Sequence, residues 1–158
     1  MKPLHSRRVF LGSGLLAAPG LAQTRIPDRG PQLDRDLVKD FVGAAHGNLE
    51  KTQAMLTALP ALVNSTWDWG GGDWETGLGG ASHMGNRPIA LYLLEHGARM
   101  DLFAAAMLGR LDVVKAAVAA FPGIHRVAGP HKIPLLAHAK KGGPEAEAVV
   151  RFLDSLES

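Results

Sequence analysis

The chain has 158 residues, no cysteine and 46% hydrophobic residues, enough for one globular domain behind a short leader. Without cysteine there is no disulfide framework, no thiolate metal site and no lipid anchored on an amino-terminal sulfur. The formal charge of +2 reflects 17 Lys and Arg against 15 Asp and Glu, but Lys2, Arg7 and Arg8 all precede Gln23. Without them the balance is about −1, which offers no basic stripe for nucleic acid.

At the amino end, Ser6-Arg7-Arg8-Val9-Phe10-Leu11 leads into an apolar stretch from Gly12 to Leu21. This resembles a bacterial twin-arginine export signal, with Gly12 in place of the frequent lysine. The small-x-small site Gly20-Leu21-Ala22 predicts cleavage after Ala22, so residues 1–22 are expected to be a signal peptide and the mature protein periplasmic or secreted. No stretch reaches the roughly 18 apolar residues of a membrane span, so no stable membrane insertion of the mature chain is expected. Residues 23–36, rich in Pro, Asp, Arg and Gly, predict a linker, and residues 37–158 the folded domain.

Within that domain Gly47, Gly85, Gly109 and Gly142 each separate an Ala- or Ser-rich half-turn from an apolar helical stretch. The first unit, Phe41-Val42-Gly43-Ala44-Ala45-His46-Gly47, has a polar second helix around Lys51 and Thr52, as suits a solvated end cap. The second runs from Asp73 through Thr76-Gly77-Leu78-Gly79-Gly80-Ala81-Ser82-His83-Met84-Gly85 to Ile89-Ala90 and Leu93-Leu94, ending at Gly97-Ala98. The third repeats the pattern at Ala105-Ala106, Gly109 and Val113-Val114. The fourth begins Pro134-Leu135-Leu136 and ends around Val149-Val150 and Leu153. Apolar residues at i, i+1, i+4 and i+5 of the second helices predict one buried face each.

These units resemble the ankyrin repeat, in which Thr-Pro-Leu-His-x-Ala-Ala precedes a glycine and a second helix ends in Leu-Leu-x-x-Gly-Ala. Thr76, Leu78, Ala81, Gly85, Leu93, Leu94, Gly97 and Ala98 fall on the family positions, while Gly77 and Gly79 replace Pro and His and predict a looser helix start. The resemblance covers most of residues 41–155 and implies an all-α ankyrin-repeat solenoid of about four helix pairs with irregular finger loops. The uneven glycine spacing predicts a long second finger and an almost absent third.

The long finger holds all three tryptophans, in Trp67-Asp68-Trp69-Gly70-Gly71-Gly72-Asp73-Trp74. These rings can bury area against a partner, or fold back as a lid over the inner helices. The resemblance implies a partner-facing groove made of finger tips and the two residues before each marker glycine. Together with the tryptophans this gives Glu75, His83, Met84, Met107, Leu108, His131, Lys132, Lys140 and Lys141, with Ala45 and His46 at the edge. An apolar centre with a titratable rim suits a protein or peptide partner, held by a monomer without catalysis. The alternative is a small-molecule or lyase/hydrolase-like site using Glu75, His83, His131 and His138 under a tryptophan lid. No tight ligand spacing and no nucleophile motif is present, so no catalytic residue, metal ion or cofactor is expected.

Overall fold

The computed structural model describes residues 29–157, so the export signal assigned to residues 1–22 lies outside the described residues. Among the described residues eight α-helices form four consecutive packed pairs. They are α1 (Arg35–Ala44) with α2 (Leu49–Ala58), α3 (Gly77–Met84) with α4 (Arg87–Glu95), α5 (Leu102–Met107) with α6 (Leu111–Ala120), and α7 (Leu135–Lys141) with α8 (Glu147–Asp154). Five starts are set by a polar residue whose side chain accepts the backbone N–H three positions on: Asp34, Asn48, Thr76, Asn86 and Asp101.

Among the first helices α1 packs on α3, α3 on α5 and α5 on α7, with α7 also meeting α3, while α2 meets α4 and α6 meets α8. Small residues permit that close stacking: Ala45, Ala81, Ala104, Ala105, Ala106 and Ala139 are fully buried. Phe41, Leu62, Leu78, Ile89 and Leu93 fill one apolar cluster, and Val114, Leu135, Val149 and Leu153 a second. Of the buried stripe predicted for the second helices, α4 buries Ile89, Ala90 and Leu93 fully and Leu94 in part. The stripe is narrower in α6, where Val114 is buried but Val113 is 40% exposed.

The long finger is not irregular. Strands β1 (Thr66–Asp68) and β2 (Trp74–Thr76) pair antiparallel, with Trp67 opposite Glu75, and form the only ribbon among the described residues. Asp68 Oδ1 accepts the Gly70 and Gly72 N–H groups, and this closes the turn. No helix among the described residues is long and apolar enough to cross a membrane.

Two marker glycines have a clear physical cause. Gly85 and Gly109 end α3 and α5 at φ of 73° and 74°, the left-handed region that side chains other than glycine adopt only with strain. A Cβ at Gly109 would also collide with the Glu145 carbonyl. We expect Gly109→Ala to cost at least ~2 kcal/mol, read as a lower urea midpoint. Gly47→Ala, where a Cβ meets nothing within 4 Å, should leave the midpoint unchanged or slightly higher. Equal midpoints for the two variants would remove the close-approach role assigned to Gly109.

Candidate metal centre

Glu75 lies on β2, where strand alternation turns Trp74 outward at 60% exposure and Glu75 inward at 1%. Three imidazoles reach its buried carboxylate through their Nε2 atoms. His46, just past α1, lies 3.2 Å from Oε2; His83, in the last turn of α3, lies 3.1 Å from Oε1; His131, in the finger before α7, lies 3.3 Å from Oε2. The Trp69 indole N–H donates to Oε2 at 2.8 Å.

The surroundings are built around these groups. A Cβ at Gly79 would lie 3.2 Å from the Glu75 side chain, and one at Gly80 only 2.8 Å from the His46 ring. Gly77 and Gly79, expected to loosen the start of α3, are buried helical residues: Gly77 packs closely on Phe41 and Ala45, and Gly79 leaves space for the carboxylate as Gly80 does for an imidazole. His131 and Lys132 adopt φ of 55° and 58°, unusual for residues other than glycine. Asp73 secures that bend, accepting the His131 backbone N–H at 2.8 Å with one oxygen and facing the ring Nδ1 at 2.8 Å with the other.

Donor counting shows what the cluster can hold. His46 Nδ1 faces the Val42 carbonyl at 2.9 Å and His131 Nδ1 faces the Asp73 carboxylate, so each carries a proton on Nδ1. In the neutral rings Nε2 is then a bare lone pair aimed at a carboxylate that can only accept. His83 Nε2 and Glu75 Oε1 are close but lack hydrogen-bond geometry, and both are buried without another hydrogen-bond partner. Protons on the rings or a cation among them resolves the conflict.

The cation fits well. His46, Glu75, His83 and His131 each offer a ligand atom within 4.8 Å of the others. Bonds of ~2.0–2.1 Å in a tetrahedral zinc site place ligand atoms about 3.3 Å apart, the spacing that His46 and His131 keep from Glu75 Oε2 and His83 from Oε1. Three imidazoles and one carboxylate suit Zn²⁺, Co²⁺, Ni²⁺ or Cu²⁺ better than the all-oxygen preference of Mg²⁺ or Ca²⁺. Asp73, hydrogen-bonded to the far nitrogen of His131, supplies the outer carboxylate that commonly orients a metal-bound histidine.

Electrostatics show the same demand for positive charge. Burial pushes the Glu75 carboxyl up, but its contacts with His46, His83 and Trp69 outweigh this and hold it well below the usual carboxylate range. The Glu75 contact raises His46 above the ordinary imidazole value against the opposing effect of burial. The His131 backbone N–H lowers Asp73.

Glu75, His83 and His131 come together here as the alternative sequence reading required, and His46, assigned only to the edge, joins them. His138 does not join. Its Nδ1 faces the Pro134 carbonyl at 3.0 Å, its ring packs on Phe103, and burial lowers its pKa. Trp69 lies against the rings of His46 and His131, with centroids 5.9 and 6.1 Å away. Trp67 instead packs toward α1, with Arg35 and Lys39 each 5.8 Å from its ring centre.

The peptide groove loses its predicted centre. Met107 and Leu108 are buried at 0% and 5% exposure, because the last turn of α5 is packed between α3 and α7. Glu75 is also unavailable as a surface contact. Trp74, Met84, Lys132, Lys140 and Lys141 are exposed. Asp73, Gly79 and Gly80 carry no sequence signal as parts of a site, since each acts only through its three-dimensional neighbours.

No family model, curated protein or solved structure matches the chain.

The raised His46 pKa sets a sign for the metal-free chain. Its stabilising contact with Glu75 is fully present below the ordinary value of 6.5 and is lost as pH rises through the elevated folded-state value. The lowered Glu75 acts oppositely, contributing above its ordinary 4.5 and losing that contribution only as pH falls through its depressed value. In EDTA, the urea midpoint should fall between about pH 6 and pH 8.5, and His46→Gln should flatten that fall. A midpoint that rises over the interval in the unsubstituted chain would reverse the assignment.

Proposed function

We propose that this chain is an exported ankyrin-type metalloprotein that holds one divalent transition ion of the zinc class at His46, Glu75, His83 and His131. The observation that carries the reading is the convergence of three Nε2 atoms on one buried carboxylate, with Nδ1 of two rings already committed elsewhere. Four protein ligands fill a tetrahedral zinc shell, so the ion is structural rather than catalytic. Its ligands come from the turn after α1, the β-hairpin, α3 and the finger before α7, and binding ties these four segments together.

Protein or peptide recognition follows as a consequence of loading. Trp74, Met84 and Lys132 directly adjoin Glu75, His83 and His131 in the chain, and all three are exposed. An ion that fixes the ligands therefore fixes the neighbours that would meet a partner, with Lys140 and Lys141 as further basic contacts. The monomer supplies all four ligands, so no second copy is required.

Titration of the chelator-treated chain with Zn²⁺ should saturate at about one equivalent, as set by the four-ligand donor count. Free Zn²⁺ at a thousandfold over Kd should stabilise the fold by about 4 kcal/mol. His83→Ala should abolish tight binding. Gly80→Ala should weaken it by ~10-fold or more through displacement of His46, even though alanine favours helix over glycine by about 1 kcal/mol. Full-affinity binding by His83→Ala, or no binding by the parent chain, would overturn the reading.

Export rests on the twin-arginine pattern at Arg7 and Arg8. Replacing both with lysine should leave the precursor in the cytoplasm, detected by immunoblotting of fractionated cells. Normal processing of that variant would remove the twin-arginine assignment.

A further inference from the structure

The Trp69 indole reaches Glu75 from the hairpin turn, and its contact is unequal between the two carboxylate oxygens. Oε2 accepts the indole N–H at 2.8 Å and also faces Nε2 of His46 and His131 at 3.2 and 3.3 Å, while Oε1 is buried, makes no hydrogen bond and faces only His83 Nε2, at 3.1 Å. The ring, 38% exposed, touches the imidazoles of His46 and His131. We propose that Trp69 is a specificity-determining residue: its N–H ties up one oxygen of Glu75, so the carboxylate gives a single bond to the ion and the centre stays four-coordinate. The inference rests on the metal reading above and adds the choice among metals.

A carboxylate oxygen that donates a lone pair to an indole N–H is a poorer ligand for the ion, and the unbonded oxygen becomes the better one. Three nitrogens and one oxygen then give the coordination number that Zn²⁺ and Co²⁺ accept readily, with His46, His83 and His131 completing the shell. Mn²⁺, Mg²⁺ and Ca²⁺ need more oxygen ligands and higher coordination, which a two-oxygen grip by Glu75 would begin to supply. Trp69 thus excludes those ions without touching them. It acts through Glu75 and is a positioning residue in that sense.

The test compares the parent chain with Trp69→Phe, which keeps an aromatic ring of smaller size and removes the donor. Both are loaded with Co²⁺, whose visible absorption is intense in tetrahedral sites and weak in five- or six-coordinate ones, and both are titrated with Zn²⁺ and Mn²⁺. We expect the parent to give the intense spectrum and the variant to lose it severalfold. The preference for Zn²⁺ over Mn²⁺ should drop by ~10-fold or more, the scale of losing a group that orients a ligand. An unchanged spectrum and preference in a Co²⁺-binding variant would overturn the role of Trp69 and leave the metal reading intact. Absence of Co²⁺ and Zn²⁺ binding by the parent would overturn both.

A second measurement does not depend on the variant folding. In the unsubstituted Zn²⁺-loaded chain, the Trp69 indole proton, assigned by nitrogen-15 labelling of tryptophan, should exchange with water more slowly than that of the exposed Trp74. Exchange as fast as that of Trp74 would overturn the proposal.

Discussion

One buried carboxylate governs the middle of this molecule. An ionised Glu75 removed from water demands compensation, because an unpaired buried charge costs several kcal/mol even after the protein relaxes around it. The compensation is unusual in that it comes from imidazoles, groups that at neutral pH carry charge only when a proton or a metal supplies it. Much of the local architecture follows from this requirement. Gly79 and Gly80 leave the space, Trp69 donates the one permanent N–H, and Asp73 turns His131 so that Nε2 faces inward.

Placement of Glu75 depends on the hairpin rather than on the helices. In a strand successive side chains point to opposite faces, so three residues of β2 send Trp74 out, Glu75 in and Thr76 on to cap α3. The same Thr76 that starts the helix thereby fixes how far Glu75 lies from His83, seven residues beyond it. A loop of equal length without strand pairing would not hold that separation. The left-handed backbone at His131 and Lys132 is the other device, and its strain, ~1–2 kcal/mol per residue, is offset by the two contacts from Asp73.

The helix pairs were legible because their signals are local. The marker glycines Gly85 and Gly109 and the periodic run Ile89, Ala90, Leu93 act within one or two turns and read directly from sequence. The hairpin was not legible, since three-residue strands have too few positions for alternation to declare itself beside a run of glycines. The site was half legible. Glu75, His83 and His131 stood out by residue type, whereas His46 looked like a rim residue and His138 like a member. Position in a repeat says which face a residue occupies, but the direction of an imidazole depends on its Nδ1 partner: Val42 for His46 and Pro134 for His138. Met107 and Leu108 were misplaced because groove and core are adjacent on so short a helix as α5.

The scatter of the ligands along the chain bears on what an ion would do here. His46 and His131 are 85 residues apart, with Glu75 and His83 between them, so no compact motif could announce the centre. A cross-link closing so long a loop restricts the unfolded chain more than one within a single turn would, though the gain grows only with the logarithm of loop length. An ion here would also link elements that belong to different apolar clusters. Phe41 and Leu78 belong to one cluster and Leu135 to the other, while His46, His83 and His131 gather groups from both sides of that division. A centre with ligands from the first, second and fourth units would add to the packing of α3 against α1 and α7, which already brings those units together. Metal occupancy is in this way linked to the cooperativity of the whole stack as well as to the local order of the hairpin.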